Sequence, residues 1–283
     1  MNEIRRITVL GAGTMGHGIA HAAVSSGYDT TLYDVSETQL SKARGQIESV
    51  FKKAVELGKA TAQDADAGMA RLQVTASIAD ALAGADFVIE AAPERADLKV
   101  QLIGDIDRHA PASAVIATNT SALSITEMAG ASADPARVAG MHFFNPVHRM
   151  KLVEIVRALK SSDAAMAAIE TVAVRMGKET VIVRESPGFI TTRVNATIGN
   201  EAFYMLTEGV ASARDIDKAL KLGLNHPMGP FELVDLVGLD TRLSILEYLH
   251  KSLGEKYRPC PLLAEYVKAG RLGRKVGRGV YDY

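Results

Sequence analysis

Cysteine occurs once in the 283 residues, at Cys260. A single thiol excludes an internal disulfide framework and any metal site built from several cysteines, and it fits a reducing compartment. An excess of one charge is lacking too: 32 basic and 33 acidic residues leave a net charge of −1, without the basic footprint of a nucleic-acid binder. No apolar run is long enough for a transmembrane helix, and the opening "MNEIRRITVLGAG" carries no signal-peptide cleavage pattern. Low-complexity segments and internal repeats are also missing. Together these absences predict a compact cytoplasmic protein with no resident metal and no membrane or nucleic-acid partner.

What is present is an apolar fraction of 47%, enough for a substantial core, with an ordinary 23% of charged residues. The first two-thirds alternates short β-branched runs with helical stretches. "ITVLGA" (7–12) reads as a strand, "MGHGIAHAAVSSG" (15–27) as a helix and "TTLYD" (30–34) as a second strand. An amphipathic helix is expected over 36–58, with Ser36 as its N-cap. "LQVTAS", "DFVIEAA", "AVIATN", "RVAGMHFF", "LVEIVRA" and "TVIVRES" are further strand candidates. This alternation predicts an α/β fold: a Rossmann-type, doubly wound, mostly parallel sheet with helices on both faces.

After "ESPGF" (185–189) the β signals stop, and helical patterns continue to the end. The boundary is placed at 185, giving a Rossmann-type α/β domain over 1–185 and a smaller all-helical domain over 186–283. The helix expected over 189–208 is apolar on much of its circumference, so it should pack in a core or against another chain. A domain of roughly 100 residues has a modest core, and a homodimer through this helical part is expected.

"GAGTMG" places Gly11, Gly13 and Gly16 in G-x-G-x-x-G spacing, closing a strand and opening a helix. Gly11 allows the turn, Gly13 lets a pyrophosphate approach the backbone and Gly16 permits close helix–strand packing. With Thr14 and Met15, the loop offers the N–H groups and positive dipole of a helix N-terminus to phosphates. Asp34 ends the next strand, 21 residues after Gly13, where a carboxylate accepts ribose hydroxyls. No Arg or Lys directly follows in "DVSET", which favours NAD over NADP; the competing role for Asp34 is to cap the next helix.

Three further polar clusters fall at predicted strand ends, where doubly wound sheets bind ligands. They are "EAAPER", "TNTS" and "GMHFFNPV". Asn119, Thr120 and Ser121 could cap a helix, or position a substrate oxygen beside a nicotinamide. His142 sits in an otherwise apolar run, as either a satisfied core histidine or a base. Glu154 lies on the next predicted strand, and a carboxylate beside the ring would fix its tautomer and stabilise imidazolium.

"GAGTMG", "AAPER", "NTSALSI", "GMHFFNPV", "MKLVEIV", "SPGF", "LGLNHPMGPFELVDLVGLD" and "LGRKVGRGVYDY" resemble, in order and spacing, the motifs of the L-3-hydroxyacyl-CoA dehydrogenase family. The similarity runs over essentially the whole chain. It is strongest, in size and layout, to the bacterial short-chain members, the 3-hydroxybutyryl-CoA dehydrogenases. The resemblance implies NAD-dependent oxidation of an (S)-3-hydroxyacyl-CoA, such as 3-hydroxybutyryl-CoA, to the 3-oxoacyl-CoA, and the reverse. It makes His142 the general base, Glu154 its partner and Ser121 a hydrogen-bonding group for the substrate's C3 oxygen, close to the nicotinamide. Asn145 would contact cofactor or substrate, Asn119 would stand beside the cofactor, and Glu94, Lys99 and Lys275 match NAD-contacting positions.

In two places the chain departs from the family pattern. Many members have Asn in the helix after "PGF", where this chain has Thr192, which offers a hydroxyl of shorter reach for the substrate. Glu56 and Leu57 stand about where some relatives carry a lysine for CoA phosphates, so Lys52, Lys53 and Lys59 become candidates, Lys53 among them for substrate binding. Two other readings are a β-hydroxyacid dehydrogenase acting on a free acid and a non-catalytic, crystallin-like structural protein. The motifs leave open butyrate-type metabolism, fatty-acid β-oxidation and aromatic-acid breakdown.

Overall fold

In the computed structural model, which describes residues 3–283, the chain divides into two compact units. One runs up to Glu185 and the other is Ser186–Tyr283.

The first unit is built on an eight-stranded sheet. Its strands are β1 (Arg6–Leu10), β2 (Asp29–Tyr33), β3 (Leu72–Thr75), β4 (Phe87–Glu90), β5 (Val115–Thr118), β6 (Val138–Phe143), β7 (Leu152–Arg157) and β8 (Glu179–Arg184). Their spatial order is β3-β2-β1-β4-β5-β6-β7-β8, and every pair is parallel except β6 with β7. Strands β4, β5 and β6 are buried at every residue, as covering both sheet faces with helices requires. The connecting helices are α1 (Thr14–Ser25), α2 (Glu37–Glu56), α3 (Ala62–Ala70), α4 (Ile78–Leu82), α5 (Ala96–His109), α6 (Ile125–Ala129) and α7 (Asp163–Arg175).

Local chemistry sets the element ends. The first strand stops at Leu10 rather than running to residue 12, because Gly11 has φ +101° and leaves the extended region. Ser36 caps α2, its hydroxyl accepting from Gln39 N at 3.2 Å. The strand order reverses beside β1, whose neighbours are β2 and β4, so the crevice beyond the carboxyl ends of β1 and β4 is the topological switch point.

The second unit is helical: α8 (Thr191–Thr207), α9 (Ala213–Gly223), α10 (Pro230–Val237), α11 (Leu239–Leu253) and α12 (Pro261–Lys268). Its core gathers Phe203, Phe231, Leu246, Leu249 and Leu263, with the Phe203 and Phe231 rings edge to face at 5.2 Å. Two buried carboxylates fasten the C-terminal tail. Asp217 accepts from Phe231 N, Glu232 N and the Tyr281 hydroxyl, and Asp235 accepts from Val280 N, Tyr281 N and the Tyr283 hydroxyl.

Candidate active site

The glycine loop is shaped for a phosphate. A Cβ on Gly16 would lie 1.7 Å from the Gly11 carbonyl oxygen, and one on Gly11 would meet Ala91 O at 2.8 Å. Both are therefore required for packing. A Cβ on Gly13 would meet nothing within 4 Å, so that glycine lines open space at the start of α1. Gly13 is the N-cap residue and supplies no side-chain bond, which leaves the first N–H groups of the helix, those of Thr14 and Met15 among them, for a ligand. These residues fit a dinucleotide pyrophosphate.

Asp34 lies just past the end of β2 and does two local jobs. Its carboxylate accepts from Ala12 N at 2.9 Å and from Ser36 N at 3.0 Å. Capping and ribose recognition are thus compatible rather than competing, since an ionised carboxylate has about four acceptor positions.

His142 and Glu154 face one another as register partners on β6 and β7. Directly opposed residues of an antiparallel pair project from the same sheet face, so the single antiparallel turn in the sheet is what joins them. His142 Nδ1 lies 2.7 Å from Glu154 Oε2; the histidine side chain is 8% exposed and the glutamate side chain fully buried. A carboxylate only accepts, so Nδ1 carries the proton toward Glu154 and Nε2 becomes the basic nitrogen. The Phe144 ring packs 4.5 Å from the imidazole, keeping one wall of the site apolar.

Ser121 belongs to a second network at the ends of β4 and β5. Glu94 Oε1 accepts from Thr120 Oγ1 at 2.7 Å, Ser121 N at 2.8 Å and Ser121 Oγ at 3.0 Å. Lys99 stands 3.5 Å from Glu94 Oε2, but its hydrogen bonds go elsewhere: to Glu90 Oε1 at 2.8 Å, Glu90 Oε2 at 2.9 Å and Ala92 O at 3.1 Å. With 1% exposure, Lys99 is buried against Glu90 and Glu94. Glu90 also accepts from Ala92 N at 2.7 Å and Thr118 Oγ1 at 2.6 Å. Sequence reasoning missed Glu90; the only signal for it was a carboxylate closing an apolar strand. Asn119 turns inward, its Oδ1 accepting from Phe143 N at 2.9 Å, and so ties the end of β5 to the strand carrying His142.

Asn145 is exposed two residues beyond β6. Lys53, the candidate for a CoA phosphate, lies on α2 with its ammonium 3.1 Å from Glu56, both side chains exposed. Thr192 and Lys275 belong to the second unit. Thr192 is half-buried in the first turn of α8, and Lys275 donates to both oxygens of Asp240.

A doubly wound sheet, a glycine loop shaped for pyrophosphate and a buried histidine–carboxylate pair at neighbouring strand ends define a dinucleotide-dependent oxidoreductase. Comparison with known proteins gives the particular family. Residues 6–186 match the family described as 3-hydroxyacyl-CoA dehydrogenase, NAD binding domain, and residues 188–283 match its C-terminal domain. The chain belongs to the 3-hydroxyacyl-CoA dehydrogenase family, is an NAD-dependent oxidoreductase and uses NAD. It is 45% identical over 282 residues to a probable 3-hydroxybutyryl-CoA dehydrogenase of Bacillus subtilis, covering 99% of this chain and 98% of that one. A 3-hydroxybutyryl-CoA dehydrogenase of Bradyrhizobium diazoefficiens is 42% identical over 281 residues, 99% of this chain and 96% of the relative. The crystal structure of an (S)-3-hydroxybutyryl-CoA dehydrogenase from Ralstonia eutropha superposes with a TM-score of 0.95 at 43% identity, covering 99% of both chains.

Proposed function

We propose that the protein oxidises the 3-hydroxyl of a short (S)-3-hydroxyacyl-CoA, 3-hydroxybutyryl-CoA first among them, and runs the reverse reaction on acetoacetyl-CoA. The observation that carries this reading is the buried His142–Glu154 contact at 2.7 Å, which makes Nε2 a base in a partly apolar wall. Bound NAD supplies the hydride acceptor at its nicotinamide ring. His142 takes the 3-hydroxyl proton as the C3–H bond breaks and, in reduction, returns it from imidazolium. Glu154 holds the ring and offsets the positive charge that forms on it. In this reading Asn145 and Thr192 contact the substrate, and Lys275 is a cofactor contact.

Turnover of NADH with acetoacetyl-CoA, compared with the free acid, tests the substrate class. Activity on the free acid alone would refute it. His142→Ala should cut turnover by about 10²–10⁴-fold while NADH affinity is kept; full turnover in a folded variant would remove the dyad.

The proposed assembly is a homodimer through the helical unit, working in the cytoplasm. Val194 on α8 is 53% exposed, and Leu236 and Val237 on α10 are exposed as well, which is apolar area a second copy would cover. A monomer by light scattering at micromolar concentration would overturn this assignment.

A further inference from the structure

The start of α2 reads Ser36-Glu37-Thr38-Gln39, the S-x-x-Q pattern of a capping box, and only half of that box is made. Ser36 Oγ accepts from Gln39 N, but the Ser36 N–H that the Gln39 side chain would take goes to Asp34 Oδ1 at 3.0 Å. The Gln39 amide is thereby released, and it reaches Ala12 O at 2.9 Å. A carbonyl oxygen only accepts, so the group facing it is the amide Nε2. Three successive backbone groups of the glycine loop are then tied to residues 33–39. Gly11 N donates to Tyr33 O at 2.8 Å, Ala12 N to Asp34 Oδ2 at 2.9 Å, and Ala12 O accepts from Gln39. Ala12 is fully buried, so solvent does not share this oxygen.

The Ala12–Gly13 peptide is trans, so its C=O and N–H point in opposite directions. Holding Ala12 O toward α2 turns the Gly13 N–H the other way. That N–H has no hydrogen-bond partner among the described residues, and a Cβ on Gly13 would meet nothing within 4 Å. We propose that Gln39 is a positioning residue for cofactor binding: by gripping Ala12 O it aims the Gly13 N–H into the open side of the loop, beside the first N–H groups of α1, to donate to the cofactor's pyrophosphate. Gln39 acts through the loop and not by touching the cofactor. Without its grip the peptide is free to turn, and a carbonyl oxygen rather than an N–H would meet the phosphates. This role concerns NAD alone and is independent of the acyl substrate proposed above.

Two ligands separate this role from a general loss of binding. Dissociation constants are measured by displacement of NADH fluorescence for ADP-ribose, which carries the pyrophosphate, and for adenosine, which keeps only base and ribose. Gln39→Met preserves side-chain length and removes the donor without adding charge. It should weaken ADP-ribose by roughly fivefold, the worth of one net hydrogen bond, and leave adenosine unchanged.

Gln39→Glu separates the aim of the loop from the stability of the helix. A glutamate at this position can complete the capping box by accepting from Ser36 N, yet it has no proton for Ala12 O. The melting temperature should be kept or raised while the preference for ADP-ribose over adenosine falls at least fivefold. A merely structural role predicts instead that binding and melting temperature move together. An unchanged preference in Gln39→Met overturns the proposal, as does an equal loss of adenosine affinity. So does a Gln39→Glu variant that binds ADP-ribose as the wild type does. Methionine and glutamate are both good helix formers, so folded protein is expected from each, and unfolding of both would make Gln39 structural and overturn the aiming role. No acyl-CoA enters these titrations, so failure of the substrate assignment is read separately, in turnover.

Discussion

Replacing Glu154 by Gln changes the charge beside His142 with almost no change in shape. The amide oxygen can still accept from Nδ1 across the 2.7 Å contact, so ring orientation and packing should survive. What is lost is the negative charge facing imidazolium. Two magnitudes bracket the effect. Exchanging a charge-assisted hydrogen bond for a neutral one costs about 1–2 kcal/mol. The full Coulomb interaction of unit charges about 4 Å apart is about 4 kcal/mol at an effective dielectric constant of about 20, which is the upper bound because the two groups also lose hydration. Between these limits kcat should fall by roughly 10- to 10³-fold.

The split between binding and turnover separates this from simple damage. NADH affinity and melting temperature should change little while kcat falls. A folded Glu154→Gln variant with full kcat would refute the argument.

The glycine loop gives a paired prediction: Gly13→Ala should keep the wild-type melting temperature but raise the KM for NADH, whereas Gly16→Ala should unfold or distort the loop, because its Cβ would lie 1.7 Å from Gly11 O. Equal thermal effects in the two variants would contradict the reading of Gly13 as open cradle. His21 gives a pH prediction: its ring nitrogens have no hydrogen-bond partner among the described residues, and burial first, then the charges of His148, His17 and Lys178, push it down from 6.5 to about 4. The unfolded chain binds this proton as pH falls through 6.5 and the folded chain only near 4, so stability is complete above that window and is lost across it, by up to about 3 kcal/mol. His21→Phe, beside Phe51, should flatten this part of the stability–pH curve, and an unaltered slope would place the acid sensitivity elsewhere. Thr192→Val should lower kcat/KM for acetoacetyl-CoA by about 1–2 kcal/mol with NADH binding spared, and unchanged kinetics would remove Thr192 from the site.

The parts of the site that depend on local order were legible in the sequence. The alternation of strand and helix patterns, the glycine spacing and the Ser36 cap each concern residues close together in the chain, and each reappears within a residue or two at its ends. Glu154 was marked as a partner for His142 by its place on the next strand, but its reach depended on β6 and β7 running antiparallel in an otherwise parallel sheet. No local pattern announces that reversal. Lys99 and Glu90 were harder still. A lysine in the first turn of α5 and a glutamate ending β4 look like solvated residues until the chain turns back over the eight intervening positions and buries both. His21 sits in the apolar, alanine-rich α1, and nothing in that segment shows that Phe51 of the next helix will cover its ring.

The distribution of buried polar groups ties these cases together. Glu90, Thr118, His142 and Glu154 are all buried at or near one end of four adjacent strands, a region where each would cost several kcal/mol if left without a partner. Each instead meets another polar group of the same layer: Thr118 and Lys99 on Glu90, Glu154 on His142, and Asn119 on the Phe143 amide between the two sets. A set of groups that satisfy one another in this way has few alternative arrangements, so the positions of Ser121 and His142 are inherited from the buried layer beneath them. Substitutions in that layer should therefore alter the direction of the hydrogen bonds offered to ligands before they alter the fold. His21 has no such layer: its burial is compensated by staying neutral, which makes it a site of acid sensitivity rather than of catalysis.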